Sequence, residues 1–156
     1  MAQTVVETTD QIVIFRLGEQ EFGLEIEQVR EIIRIATVTP MPHTAAAVAG
    51  MINVRGKIIP VVDMGEYLGL PPAKPGLIAR IIIIEAAHIM VGLRVDTATD
   101  VLRVPSGSLE SADEIVGRGG LADIAGVYKL DERLVALIDT KDLLEIGQRS
   151  HKTEKS

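Results

Sequence analysis

The residues able to do chemistry are few and scattered. His43, His88 and His151 stand in a proline-flanked loop, a hairpin tip and the tail. None has the HExxH or paired spacing that a metal-binding helix needs, so no metal site is expected. Ser106, Ser108 and Ser111 lie in a polar loop without a GxSxG elbow. The chain has no cysteine, which removes thiol nucleophiles, thiolate metal sites and disulfides together. GRGG at 117–120 follows no strand and opens neither a GxGxxG nor a P-loop pattern, so it reads as a loop. One stretch remains open: GMINVRGKIIPVVDM, from Gly50 to Met64, whose polar centre of Asn53, Arg55, Gly56 and Lys57 could be a phosphate cradle or a strand corner.

The composition narrows the classes of partner. The 156 residues fit one domain with a sizeable core, and the net charge of −6 opposes a nucleic-acid backbone. Aromatics are only 3% of the chain, too few to stack single-stranded bases, whereas 19 Ile and 16 Val load it for strands. The N-terminal MAQTVVETTDQ has no basic start followed by an apolar stretch, so no secretory signal is expected. Leu77–Leu93 is interrupted by Arg80, Glu85 and His88 and falls short of the roughly 18–20 clean apolar residues of a membrane span. A cytoplasmic protein without membrane insertion, cofactor or nucleic-acid partner is expected.

The elements follow from apolar spacing and turn residues. Residues 1–10 read as a flexible N-terminus, 11–146 as the domain, and 147–156 as a flexible, solvated tail. Gln11–Leu17 and Glu21–Ile26 form a hairpin about Gly18. Glu27–Ile33 has the i, i+3, i+4 spacing of a helical turn, and Ile35–Thr39 reads as a strand stopped by Pro40. Ala45–Ala49 reads as a brief coil. Met51–Val54 and Lys57–Val62 form a second hairpin, and Met64–Leu68 a short helix ended by Gly69. Pro71–Gly76 reads as a hinge. Ile78–Ile84 and Ile89–Val95 pair across Ala86-Ala87-His88, and Val101–Val104 follows. Ser106–Gly120 reads as a mobile loop, Leu121–Leu130 with Arg133–Ile138 as the last hairpin, and Thr140–Ile146 as a C-terminal helix.

An internal repeat organises these elements. GMINVRGKIIPVVDMGEYL from Gly50 aligns without a gap on GVYKLDERLVALIDTKDLL from Gly126, an offset of 76. FGLEIEQVREII from Phe22 aligns on VGLRVDTATDVL from Val91, an offset of 69. Two pairs in the same order imply two similar all-β lobes packed on each other, each of about five curled strands. In the second copy Asp131-Glu132 replaces Arg55-Gly56. A catalytic or phosphate-binding loop could not survive that exchange, whereas a hairpin corner can. Asp63 and Asp139 each end a strand before a short helix and read as helix caps, with Glu66 placed for a capping box.

FRLGEQEFGLEIEQVREII, AGMINVRGKIIPVVDM, IIIIEAAHIMVGLRVDTATDVL and IAGVYKLDERLVALIDTKDLL together resemble a CheW-type chemotaxis coupling protein over residues 11–146. The most specific block is similar to the family's G-x-x-N-L-R-G-x-x-x-P-V-x-D-L, with Val54 and Met64 in place of its two leucines. The resemblance implies two interleaved five-stranded SH3-like β-barrel lobes with short helices. It also implies a non-enzymatic adaptor between the cytoplasmic tips of methyl-accepting chemoreceptors and the C-terminal regulatory domain of the histidine kinase CheA, recruited to membrane-associated receptor arrays. A related non-flagellar pathway, or a small-ligand-binding barrel, is the alternative.

Carried over by position, the resemblance implies a receptor-binding groove of Val29, Glu31 and Ile32 from lobe one with Ala98, Asp100 and Val101 from lobe two. A receptor helix would lie in it. Arg55, Lys57, Asp131 and Glu132, of opposite sign on corresponding hairpin tips, are expected to contact the kinase or build rings of alternating lobes. Gly50, Gly56, Gly92 and Gly126 are expected to serve turns or close backbone approaches.

Overall fold

Alternating β-branched residues put most of the chain into strands, and the pairing of those strands shows why the sequence repeats. The computed structural model describes residues 8–34, 37–42, 46–71, 76, 78–113 and 123–154. Strands β1 (Thr9–Leu17) and β2 (Gln20–Glu25) are followed by a 3-10 turn at Ile26–Gln28 and β3 (Val29–Arg34). Then come β4 (Val48–Val54), β5 (Lys57–Asp63) and helix α1 (Met64–Tyr67). The second half repeats the order with β6 (Arg80–Ala86), β7 (Ile89–Val95), β8 (Thr97–Pro105), β9 (Glu110–Ser111), β10 (Ile124–Leu130), β11 (Arg133–Ile138) and helix α2 (Lys141–Glu154).

Two sheets result, each curled into a small SH3-like lobe. Lobe one has the order β3-β6-β7-β5-β4, and lobe two β8-β1-β2-β11-β10-β9. The halves therefore exchange hairpins: β1–β2 sits in lobe two and β6–β7 in lobe one. The registers match residue by residue. Gly23 lies opposite Leu137 in the parallel pair β2–β11, and Gly92 opposite Val61 in β7–β5. The bridge of Thr39 to Met51 repeats that of Glu110 to Val127.

Among the described residues three apolar clusters form the core. Ile52, Ile59, Val61, Ile81 and Ile83 fill lobe one, while Ile12, Ile14, Val104, Tyr128, Val135 and Leu137 fill lobe two. The largest lies between the lobes and includes Phe15, Phe22, Leu24, Ile82, Ile84, Val91 and Leu93. Its fully buried aliphatics each contribute about 1.5–3 kcal/mol, so the lobes hold each other together. Helix α2 leaves lobe two and packs on β7 and β5 of lobe one, burying Leu143 and Ile146. Tyr67 Oη donates to Asp142 Oδ2 at 3.0 Å, tying α1 to α2.

Both strand-end aspartates cap helices, in different surroundings. Asp63 Oδ1 accepts from the Glu66 N–H at 3.1 Å, and its Oδ2 accepts from Arg94 Nη2 at 2.9 Å and Nε at 3.1 Å. Asp139 Oδ1 accepts from the Lys141 N–H at 3.0 Å. Asp63 is 1% exposed, whereas Asp139 is open to solvent, and the position equivalent to Arg94 holds Glu25.

Several expectations are corrected. The helical turn at Glu27–Ile33 is a 3-10 turn at Ile26–Gln28 followed by strand β3. The flexible tail at 147–156 is helical as far as Glu154, because α2 continues through Gly147 and Arg149. Strand β8 begins at Thr97, four residues before the expected start, and the loop after it contains β9. Val48 and Ala49 belong to β4, so the expected coil is shorter. Gly50, Gly92 and Gly126 lie inside strands. A Cβ on Gly50 would stand 2.2 Å from the Thr39 carbonyl oxygen, and one on Gly126 2.4 Å from that of Glu110. Close backbone approach explains both. Gly56, at φ +83°, does sit in a turn. The expected hinge at Pro71–Gly76, the strand at Ile35–Thr39, His43, GRGG at 117–120 and the N-terminus at 1–10 lie wholly or partly outside the described residues.

Candidate partner-docking surfaces

The residues expected to form a groove lie on a matched pair of β-bulges. In β3, Val29 lies opposite Ile84 and Glu31 opposite Ile83, so Arg30 is the extra residue. The bulge puts Val29 and Ile32 on one face, where they stand opposite Ile84 and Ile82 of the inter-lobe cluster. In β8 the same shift makes Thr99 the extra residue. Ala98 lies opposite Phe15, and Val101 opposite Val13. Val29 and Ala98 are half-buried against the inter-lobe core. Ile32 and Val101 are 41% and 50% exposed, apolar surface that the fold itself leaves uncovered.

Glu31 and Asp100 point elsewhere. Their partners in register, Ile83 and Ile14, belong to the lobe interiors, so both residues lie on the face turned away from Ile32 and Val101. Glu31 is held there by Arg55, whose Nη1 and Nη2 donate at 3.0 and 2.8 Å. These bonds pull the Glu31 carboxyl below its usual range, against a smaller upward push from desolvation, and hold the Arg55 guanidinium protonated. The structure thus brings together one expected groove residue and one expected kinase contact.

The two hairpin tips share their backbone and differ in charge. Arg55 and Asp131 both adopt left-handed φ, at 51° and 56°. The Asn53 side chain accepts from the Gly56 N–H at 2.9 Å, which closes the first turn. Lys57 is exposed beside the Arg55–Glu31 pair. On the other tip Asp131 and Glu132 are exposed beside Arg133, which bonds Glu21 at 2.6 and 3.0 Å. With those pairs closed, the tips still differ in sign. Each tip also carries an exposed aliphatic that sequence reasoning missed: Ile58 at 46% and Leu134 at 64%, equivalent at the offset of 76.

Arg34 and Arg103 were also missed. They follow the last aligned residues of the other repeat at the same offset of 69, so one further step of that alignment would have found them. Among the described residues no group of three or more His, Asp or Glu side chains is placed to hold a metal ion. His88 lies in the β6–β7 hairpin turn at φ 67°. Among the described residues no helix is long and apolar enough to cross a membrane.

Comparison with known proteins agrees with this geometry. The CheW-like domain family matches residues 11–148. The probable chemotaxis protein CheW of Rhizobium etli is 35% identical over 133 residues, covering 85% of this chain and 86% of that protein. The chemotaxis protein CheW of Bacillus subtilis is 32% identical, covering 90% of each chain. The crystal structure of the scaffolding protein TtCheW from Thermoanaerobacter tengcongensis superposes with a TM-score of 0.76 at 31% identity, covering 85% of this chain and 90% of that one. With the same two-lobed fold and a family match over nearly its whole length, the chain belongs to the CheW-like domain family, whose members are adaptor scaffolds of chemotaxis signalling.

Proposed function

We propose that this chain couples the cytoplasmic tips of methyl-accepting chemoreceptors to the histidine kinase CheA, without catalysis of its own. It would work in the cytoplasm, recruited to membrane-associated receptor arrays. The observation that carries this reading is the matched pair of bulges. They turn Ile32 and Val101 outward beside half-buried Val29 and Ala98, and exposed aliphatic surface on both strands supports the reading that a helix docks there. The hairpin tips supply the second contact. Ile58 beside Lys57 and Leu134 beside Asp131-Glu132 form equivalent apolar patches with opposite charge, which favours lobe-to-opposite-lobe pairing with the kinase regulatory domain.

Co-sedimentation with receptor cytoplasmic fragments and the kinase tests both surfaces. Ile32→Asp with Val101→Asp should abolish receptor capture and leave the thermal melt near wild type. Exchanging the tip charges of Lys57 and of Asp131-Glu132 should weaken the kinase step alone. Undiminished ternary complex from a folded Ile32→Asp/Val101→Asp protein would overturn the reading.

A further inference from the structure

Beyond each exposed aliphatic of the groove stands an arginine on the same face. No register shift separates Ile32 from Arg34 or Val101 from Arg103, so each arginine lies two residues along its strand, about 7 Å further out. Arg34 is opposite Arg80, and Arg103 opposite Gln11. Both are exposed, and neither makes a hydrogen bond or ion pair among the described residues, although Arg103 lines a surface recess together with Asp131, Glu132 and Arg133. The carboxylates one residue before each aliphatic do not neutralise them. Glu31 and Asp100 lie on the opposite face, and Glu31 is bonded to Arg55. A chain of net charge −6 thus carries aliphatic-then-arginine rows on both strands of its groove.

Resting on the groove reading above, we propose that the groove selects an acidic amphipathic helix: one whose apolar seam is flanked by Asp or Glu that meet Arg34 and Arg103. The charge is placed for discrimination. Exposed cations at the edge of an apolar contact add little affinity, yet they reject a like-charged partner and speed the approach of an opposite one. An anionic lipid surface is the weaker fit, because the surrounding negative protein would be repelled by it while a single helix enters between the lobes.

The test uses the full chain and two designed helical-hairpin probes with the same leucine seam, one flanked by Glu and one by Lys, titrated by fluorescence anisotropy. At low salt the Glu probe should bind about tenfold more tightly than the Lys probe, and 0.5 M NaCl should shrink that gap. Arg34→Gln with Arg103→Gln should erase the preference, and Arg34→Glu with Arg103→Glu should reverse it. Equal binding of both probes by the wild type, lost on Ile32→Asp/Val101→Asp, would overturn the acidic-partner inference and leave the groove intact. Failure of both probes to bind, or binding indifferent to Ile32 and Val101, would overturn the groove reading with it. Sedimentation with phosphatidylglycerol vesicles that depends on Arg34 and Arg103, without preference for the Glu probe, would assign the arginines to lipid and refute the proposal.

Discussion

Replacing Asp63 by alanine removes both a helix cap and an ion pair, whereas the same change at Asp139, its repeat equivalent, removes a cap. Asp63 caps α1 through the Glu66 N–H and holds Arg94 at 2.9 Å, with its own carboxylate 1% exposed. Loss of a cap costs about 1 kcal/mol. Breaking a buried ion pair costs about 3–5 kcal/mol, and the figure here is smaller because the Arg94 side chain, 28% exposed, regains water. The total is about 3 kcal/mol, or a fall of roughly 6–12 °C in Tm for a domain of this size. Asp139 is solvent-exposed and, among the described residues, pairs with no cation, so the loss of its cap in Asp139→Ala should cost about 1 kcal/mol. Urea denaturation and thermal melts of the two variants, taken side by side, measure the difference. Equal losses at the two sites would refute the reasoning, since they would mean that the Arg94 bond contributes nothing.

Other outcomes follow from packing and charge. Gly50→Ala and Gly126→Ala should each prevent folding or cost several kcal/mol, because the added Cβ meets a backbone oxygen at 2.2 and 2.4 Å; the yield of soluble protein checks this. Val29→Asp should destabilise by about 2 kcal/mol or more through burial of a charge against the inter-lobe core. Ile32→Asp should stay within about 0.5 kcal/mol of wild type, as chemical denaturation would show. Carbon-detected NMR titration should place the Glu31 carboxyl below the ordinary glutamate range, and Arg55→Gln should return it toward that range. Because the folded pKa is lowered, the pair's contribution to stability is present above the ordinary glutamate pKa. It fades as pH falls through the folded one.

The repeat was legible because each half pairs with itself and with the other by the same registers. The offsets of 69 and 76 read from residues reappear in the ladders β1–β2 and β6–β7, and β4–β5 and β10–β11. The helical reading of EQVREII failed for a physical reason. A bulge at Arg30 replaces the period of two by a step of three, so Val29 and Ile32 share a face as they would on a helix. The same step concealed which groove candidates share a surface: Glu31 and Asp100 adjoin Ile32 and Val101 in sequence and face away from them in space.

Residue order alone determined the aliphatic two-lobed architecture, the polar hairpin corners, the two capping aspartates and the family, because these depend on short-range periodicity and on local backbone needs. Tertiary structure decided which lobe each hairpin joins, that Arg55 is bound to Glu31, and that Arg34 and Arg103 share a face with Ile32 and Val101. Those features arise where bulged edge strands from different halves of the chain meet, and no local pattern records which face a bulge turns outward.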